Sequence, residues 1–230
     1  MRIVLPTPTD ATVAEAYAAP LGGPHCGRPW IQLCMVSSLD GSTVVDGRSA
    51  ALSSPTDTAV LAQLRSLADV VIVGAGTVAS EHYGPPKTPG QRIGVATRSG
   101  SIDLNTDLFG SGAGFVITTE QTEINTNGFD GNLEVIRAGD DDVNLLDAVA
   151  QIGDRFGARV IQAEGGPKLN AALAEADLID ELALTTSPGI VTGDGPRLTR
   201  AGDPTERTFE LIQLAVDDDQ FLFQRWRRRR

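Results

Sequence analysis

Short, uninterrupted apolar runs that empty into glycine constrain this chain more than any other feature. In VVIVGAGTVASE, residues 70–81, such a run reaches Gly74 and Gly76, and in RVIQAEGGPKL, residues 159–169, another reaches Gly165 and Gly166. A strand apolar on both faces needs cover on both faces, which is the situation of a parallel strand in an α/β sheet. RIGVAT, GFVITT and LEVIRA are further runs of this kind, at intervals that leave room for a crossover. WIQLCMVS, starting at Trp30, is the first buried strand and ends near the Asp40-Gly41 turn. Between strands, SSPTDTAVLAQLRSLAD predicts a helix with Ser54 as cap, Pro55 in its first position and Asp57 completing a capping-box pattern. Its apolar stripe is Val60, Leu61, Leu64 and Leu67. VNLLDAVAQIGDRFG predicts a second helix stopped by Gly157, and PKLNAALAEAD a third, opened by Pro167 with Leu169 and Leu173 one turn apart. IDELALTTSP is a strand, and RTFELIQLAV with QFLFQRW forms a hairpin through residues 217–219. The prediction is an α/β fold: a mixed, mostly parallel sheet, helices on both faces, and an antiparallel C-terminal hairpin. Residues 1–28, rich in Ala, Pro and Gly, read as an N-terminal extension, and residues 29–230 as a single domain.

With 230 residues and 41% hydrophobic content the chain can bury one large core. Its net charge of -11 argues against nucleic acid or an anionic membrane as partner, and the basic RWRRRR at 225–230 reads as a solvated end. No apolar run approaches the roughly 20 residues of a membrane helix, and MRIVLPTPTD lacks the layout of a signal peptide, so a soluble cytoplasmic protein is expected. Cys26 and Cys34 supply neither a disulfide framework nor metal-site spacing, His25 beside Cys26 reads as loop, and no metal is expected.

The glycine turns invite anions. Gly74, Gly76 and Ala79 fit the G-x-G-x-x-A dinucleotide fingerprint, and Arg98 in VATRSG lies where an arginine could meet a 2′-phosphate. Two readings stand: a Rossmann unit, or another fold using the same turn chemistry. Against the first, a strand and a capped helix precede the fingerprint, and EHYGPPKTPG, with three prolines, interrupts the helix that should follow. Gly165 and Gly166 stand before a helix whose first N–H groups lack internal partners and so attract phosphate. Lys168 in that first turn opposes the helix dipole, at a cost of up to about 1 kcal/mol, unless an anion is present. With Thr97, Arg98 and Ser99 between the two glycine turns, the pattern is that of a dinucleotide cleft, and the arginine favours NADP over NAD.

IQLCMVSSLDG, VVIVGAGTV, VIQAEGGPKL and IDELALTTSP, in this order and spacing, resemble the reductase domain of riboflavin biosynthesis, which shares the dihydrofolate reductase fold; the similarity runs from Arg28 to Leu198. The resemblance implies a three-layer dihydrofolate reductase-like fold and NADPH as cofactor. By position, Gly76, Thr77 and Glu81 would contact the cofactor, the last being aspartate more usually. Thr97, Arg98 and Ser99 would hold the adenosine 2′-phosphate, and Gly165, Gly166, Pro167, Lys168 and Leu169 the diphosphate. Ser49 and Arg65 would be substrate-side, with Arg65 on the sugar phosphate. Glu164 would contact the sugar or pyrimidine and Asp40 would border the nicotinamide pocket, which makes both candidates for assisting proton transfer. The implied reaction is reduction of the ribosyl group of 5-amino-6-(5-phosphoribosylamino)uracil, or its diaminopyrimidine precursor, to ribityl by hydride transfer. A homodimer is implied as well. One departure is Cys34, which stands where many pathway reductases carry a lysine; another is the lack of the H-x-E and P-C-x-x-C motifs of the deaminase often fused to this domain. Two alternatives follow: an NADPH-dependent reductase of another substrate such as a dihydrofolate-like pterin, and a non-catalytic NADPH-binding relative.

Overall fold

Apolar residues alternate across the central strands so that each strand serves two cores at once. Val70 and Ile72 point to one side of the sheet and Val71 and Val73 to the other. A computed structural model describes residues 1–200 and 202–230. Its strands are β1 (Arg2–Leu5), β2 (Thr9–Asp10), β3 (Trp30–Ser37), β4 (Val70–Gly74), β5 (Arg92–Ala96), β6 (Gly114–Thr118), β7 (Glu134–Arg137), β8 (Val160–Ala163), β9 (Glu181–Thr186), β10 (Phe209–Val216) and β11 (Leu222–Arg228). They form one sheet in the order β2-β1-β10-β11-β9-β3-β8-β4-β5-β6-β7. From β9 to β7 all neighbours run parallel, and from β9 to β2 all run antiparallel.

The helices are α1 (Val13–Ala16), α2 (Pro55–Leu67), α3 (Ala75–Glu81), α4 (Asp107–Gly110), α5 (Leu145–Phe156) and α6 (Pro167–Glu175). On one face α5 and α6 pack Ala148, Val149, Ile152, Leu169 and Leu173 against Ile31, Leu33, Ile72, Phe115 and Ile136. On the other, α3 and α4 cover Val71, Val73, Ile93 and Val95, while α1 and α2 cover β3 and the antiparallel wing through Tyr17, Val60, Leu64 and Phe223. This is the expected three-layer arrangement. Among the described residues no helix is long and apolar enough to cross a membrane.

Local chemistry explains the element ends. The Ser54 side chain accepts from the Asp57 N–H and Pro55 occupies the first helical position of α2. The expected capping box is not formed, because the Asp57 carboxylate accepts from the Ser53 hydroxyl at 2.6 Å instead of returning to Ser54. Within the expected stripe Val60 and Leu64 are buried, whereas Leu61 lines a cleft. Gly157 ends α5 in the left-handed region at φ 64°. The fingerprint helix α3 stops at Glu81, with His82 left-handed at φ 54°. So the prolines of residues 85–89 follow its end, and a preceding strand and helix, β3 and α2, set this sheet apart from a Rossmann unit.

Two expectations give way at the chain ends. Residues 1–28 are built into the same sheet: β1 pairs with β10, Tyr17 is buried, and the Arg28 guanidinium meets Asp180 at 2.7 Å. The RWRRRR segment is not a solvated end either. Arg225 is 4% exposed and doubly bonded to Glu181, and Arg228 and Arg230 reach Asp177 and Asp180. The cause is the same in both cases, since buried carboxylates opening β9 require cations and both ends of the chain supply them. His25, read as loop, joins this cluster with Nε2 at 2.8 Å from Asp180.

Candidate active site

The C-terminal ends of β8 and β4 lie side by side, so the two glycine turns that follow them converge. The Gly74 N–H donates to the Gly165 carbonyl at 2.7 Å. A Cβ on Gly74 would lie 3.3 Å from the Gly166 nitrogen, and one on Gly166 would lie 2.7 Å from Thr77 Oγ1. Gly165 sits at φ 82°, which side chains rarely adopt. Helices α3 and α6 start at this point with Gly74 and Gly166 as caps, and neither has a side-chain capping bond. The two turns therefore pack too closely to admit side chains at Gly74 and Gly166, and both helix starts are left without a side-chain cap, the kind of terminus that attracts anions. Of the residues expected around it, Leu169 is buried as an anchor of α6, Pro167 is half-buried at its first position, and Lys168 and Gly76 are exposed. One strand further along, Thr97 is buried at the end of β5, and Arg98 and Ser99 are exposed. The Arg98 guanidinium meets Asp142 at 3.2 Å, with side chains 70% and 79% exposed, a pair held weakly in water.

Beside the twin turns lies a cleft of about 170 Å³ between β3, α2 and α3, and its lining includes Ser49, Thr77, Glu81, Glu164, Gly166 and Pro167. Glu164, directly after β8, is the most heavily bonded group in it. Its Oε1 accepts from Arg65 Nε at 2.6 Å and Gln162 Nε2 at 2.7 Å, and its Oε2 from Arg65 Nη2 and the Tyr83 hydroxyl, both at 2.5 Å. Desolvation works against the Arg65 charge, but Glu164 outweighs it and holds the guanidinium's pKa above its ordinary value. So Arg65, expected on the sugar phosphate, has two of its nitrogens committed to Glu164. Nη1 has no protein partner among the described residues, and the side chain stays 35% exposed.

Glu81 accepts from the Ser49 backbone N–H at 2.9 Å and thereby ties the loop before α2 to the end of α3. Asp40 lies outside the cleft lining, exposed, with Oδ1 accepting from the Ser38 hydroxyl at 2.5 Å and the Val191 N–H at 2.9 Å. These bonds, the hydroxyl first, lower its pKa. Sequence reasoning missed two groups in the cleft, Tyr83 and Asp57. Tyr83 stands in the proline-rich stretch that was read only as a helix breaker. Asp57 passed as a capping residue, yet it is buried in the cleft wall, and desolvation raises its carboxyl although hydrogen bonds from Ser53 and Thr185 pull the other way. Cys34 also lines the cleft, and burial, aided by Asp57, pushes its thiol up. Among the described residues no Lys, Arg or His lines the cleft, and no group of three or more metal-ligating side chains is present.

A mixed sheet covered on both faces, with twin uncapped helix starts beside a carboxylate cleft, defines an α/β protein of the dihydrofolate reductase-like class. The chain belongs to the RibD C-terminal domain family, whose model matches residues 29–223, a reductase family of riboflavin biosynthesis. Its structure is similar to a pyrimidine reductase-like protein from Corynebacterium diphtheriae, with 24% identity, TM-score 0.81, and coverage of 96% of this chain and 100% of that one. It is similar also to the riboflavin biosynthesis reductase Rib7 of Saccharomyces cerevisiae, with 17% identity, TM-score 0.69, and 90% and 92% covered. The dihydrofolate reductase of Enterococcus faecalis, complexed with NADP(H), shares the fold at 13% identity and TM-score 0.50, with 87% and 97% covered. No curated protein matches the chain. The expected family and fold are both borne out.

Proposed function

We propose that this chain is an NADPH-dependent reductase that converts the ribosyl group of 5-amino-6-(5-phosphoribosylamino)uracil, or of its diaminopyrimidine precursor, to ribityl. The observation that carries this reading is the meeting of two uncapped helix starts at the rim of the cleft that holds Glu164. NADPH supplies the hydride when bound. The N–H groups that open α3 and α6, with Thr77, hold its diphosphate, and Thr97, Arg98 and Ser99 hold the adenosine 2′-phosphate. Ser49 and Arg65 act on the substrate side, with Arg65 Nη1 offered to the sugar phosphate. A proton must reach the ring oxygen of the sugar as its bond to C1 opens. Asp40 is committed to its own turn, which leaves Glu164 and its donors for that step. The same reading makes the protein a cytoplasmic homodimer acting on a small molecule, without nucleic acid or membrane partners.

A second reading has one observation in its favour. The buried Asp57 carboxylate, in a cleft without a basic lining residue among those described, suits a pair of N–H donors on a non-phosphorylated amino-heterocycle such as a dihydrofolate-like pterin. Oxidation of NADPH, followed by absorbance with the phosphoribosylamino-pyrimidine, its dephosphorylated form and dihydrofolate in parallel, separates the two. Turnover of the phosphorylated compound, weakened by Arg65→Met, supports the first reading. Turnover of dihydrofolate alone, abolished by Asp57→Asn, replaces it with the second, and NADPH binding without any turnover overturns both.

A further inference from the structure

A carboxylate has room for about four hydrogen bonds, two on each oxygen, and Glu164 has all of them filled. It can therefore meet a substrate hydroxyl or amine only if one of its present donors leaves. The donors are not equally held. Arg65 is bidentate and carried by α2, and the Gln162 side chain is fixed in the sheet beside Gln32 at 3.2 Å. Tyr83 makes a single bond from the segment that follows the left-handed His82, and it lines the cleft itself. Burial first, and the Glu164 charge second, push the Tyr83 hydroxyl's pKa well above its ordinary value, so it remains a donor throughout the neutral range. The Arg65 guanidinium, 5.3 Å from the ring centroid, holds the aromatic plane while the hydroxyl can turn.

We infer that Tyr83 is a substrate-binding and specificity-determining residue: its hydroxyl moves from Glu164 to an acceptor oxygen or nitrogen of the substrate, and the lone pair it vacates on Glu164 Oε2 takes a substrate N–H or O–H. The exchange moves no electrons and breaks no covalent bond, and each group keeps its hydrogen-bond count. It selects a ligand that presents an acceptor and a donor side by side, as an amino-pyrimidine or its sugar does, and it disfavours one that offers acceptors alone. The inference rests on the proposed use of this cleft for substrate.

The test uses the whole chain and the expected product, 5-amino-6-(5-phosphoribitylamino)uracil, as probe. Binding is measured by calorimetry, and the near-ultraviolet tyrosine band by difference absorbance in wild type, Tyr83→Phe and Tyr17→Phe. The expected result is a shift of the tyrosine band on binding, retained in Tyr17→Phe and lost in Tyr83→Phe. Tyr83→Phe leaves the substrate acceptor without its donor, which should also weaken binding about fivefold, and in turnover KM should rise by a similar factor. A probe that binds wild type without any tyrosine shift, or a Tyr83→Phe protein that binds as tightly as wild type, overturns the role of Tyr83 and leaves the proposed function standing. Failure of the probe to bind wild type at all overturns both together.

Discussion

Glu164 and Asp57 share one cleft but live in opposite surroundings. The first is ringed by a guanidinium, an amide and a phenol, whereas the second is buried with hydroxyl partners. Desolvation raises the Asp57 carboxyl in the folded protein, so the fold favours its protonated form. Its cost to stability is absent below the unfolded carboxyl pKa and grows as pH rises through the folded one. Asp57→Asn is accordingly expected to raise the melting temperature at neutral pH and to leave it unchanged in acid, which a series of thermal melts across pH will show. Arg98 gives a second residue-scale prediction. Its partner Asp142, which follows Asp140 and Asp141, competes with any 2′-phosphate. An exposed pair is worth at most about 1 kcal/mol, so Asp142→Asn should tighten binding of 2′,5′-ADP by up to about fivefold and leave 5′-AMP unaffected. The place of Arg98 just after a strand was readable from sequence because a cation at a strand end is a local pattern. The Asp57 assignment was not, since Ser-Pro-Thr-Asp serves a helix cap and a cleft wall equally well.

At the level of elements, the strands were legible because two-sided burial leaves an unbroken apolar signature, and β3, β4, β5, β6 and β8 all fall on the runs that predicted them. Helix starts were legible through Ser54, Pro55 and Pro167. Ser54→Ala should cost about 1 kcal/mol, measured by urea unfolding, because α2 loses its side-chain cap. The α6 start is more demanding. A methyl on Gly166 would press on Thr77 Oγ1, so Gly166→Ala should weaken NADPH binding, read by fluorescence titration, while the extended backbone at φ -74° keeps the fold intact. Leu173→Ala, fully buried on the opposite face of the sheet from α2, should instead cost about 2–5 kcal/mol of stability with cofactor affinity retained in the folded fraction. The contrast separates what α6 does for the core from what its first turn does for a ligand.

At the scale of the molecule, the acid cluster opening β9 was invisible in the sequence because its partners are remote: Arg28 and Asp180 lie 152 positions apart, and Arg225 and Glu181 lie 44 apart. No periodicity records such a pairing. Burial alone would raise the Asp180 carboxyl, but Arg28, the Ile31 N–H and His25 outweigh it and keep it below its ordinary value. Its contribution to stability is therefore present above the unfolded carboxyl pKa and is lost as pH falls through the folded one. Asp180→Ala removes the anion and leaves Arg28 buried without it, so a loss of about 3–5 kcal/mol is expected at neutral pH by denaturant titration, shrinking in acid.

The two buried acids at the head of β9 draw one arginine from ahead of β3 and another from β11, and the Arg225 guanidinium also reaches the Ala16 and Ala19 carbonyls. Arg225 therefore works as a clasp between β9 and the N-terminal segment, so that replacing this one side chain loosens two stretches of chain that lie far apart in sequence.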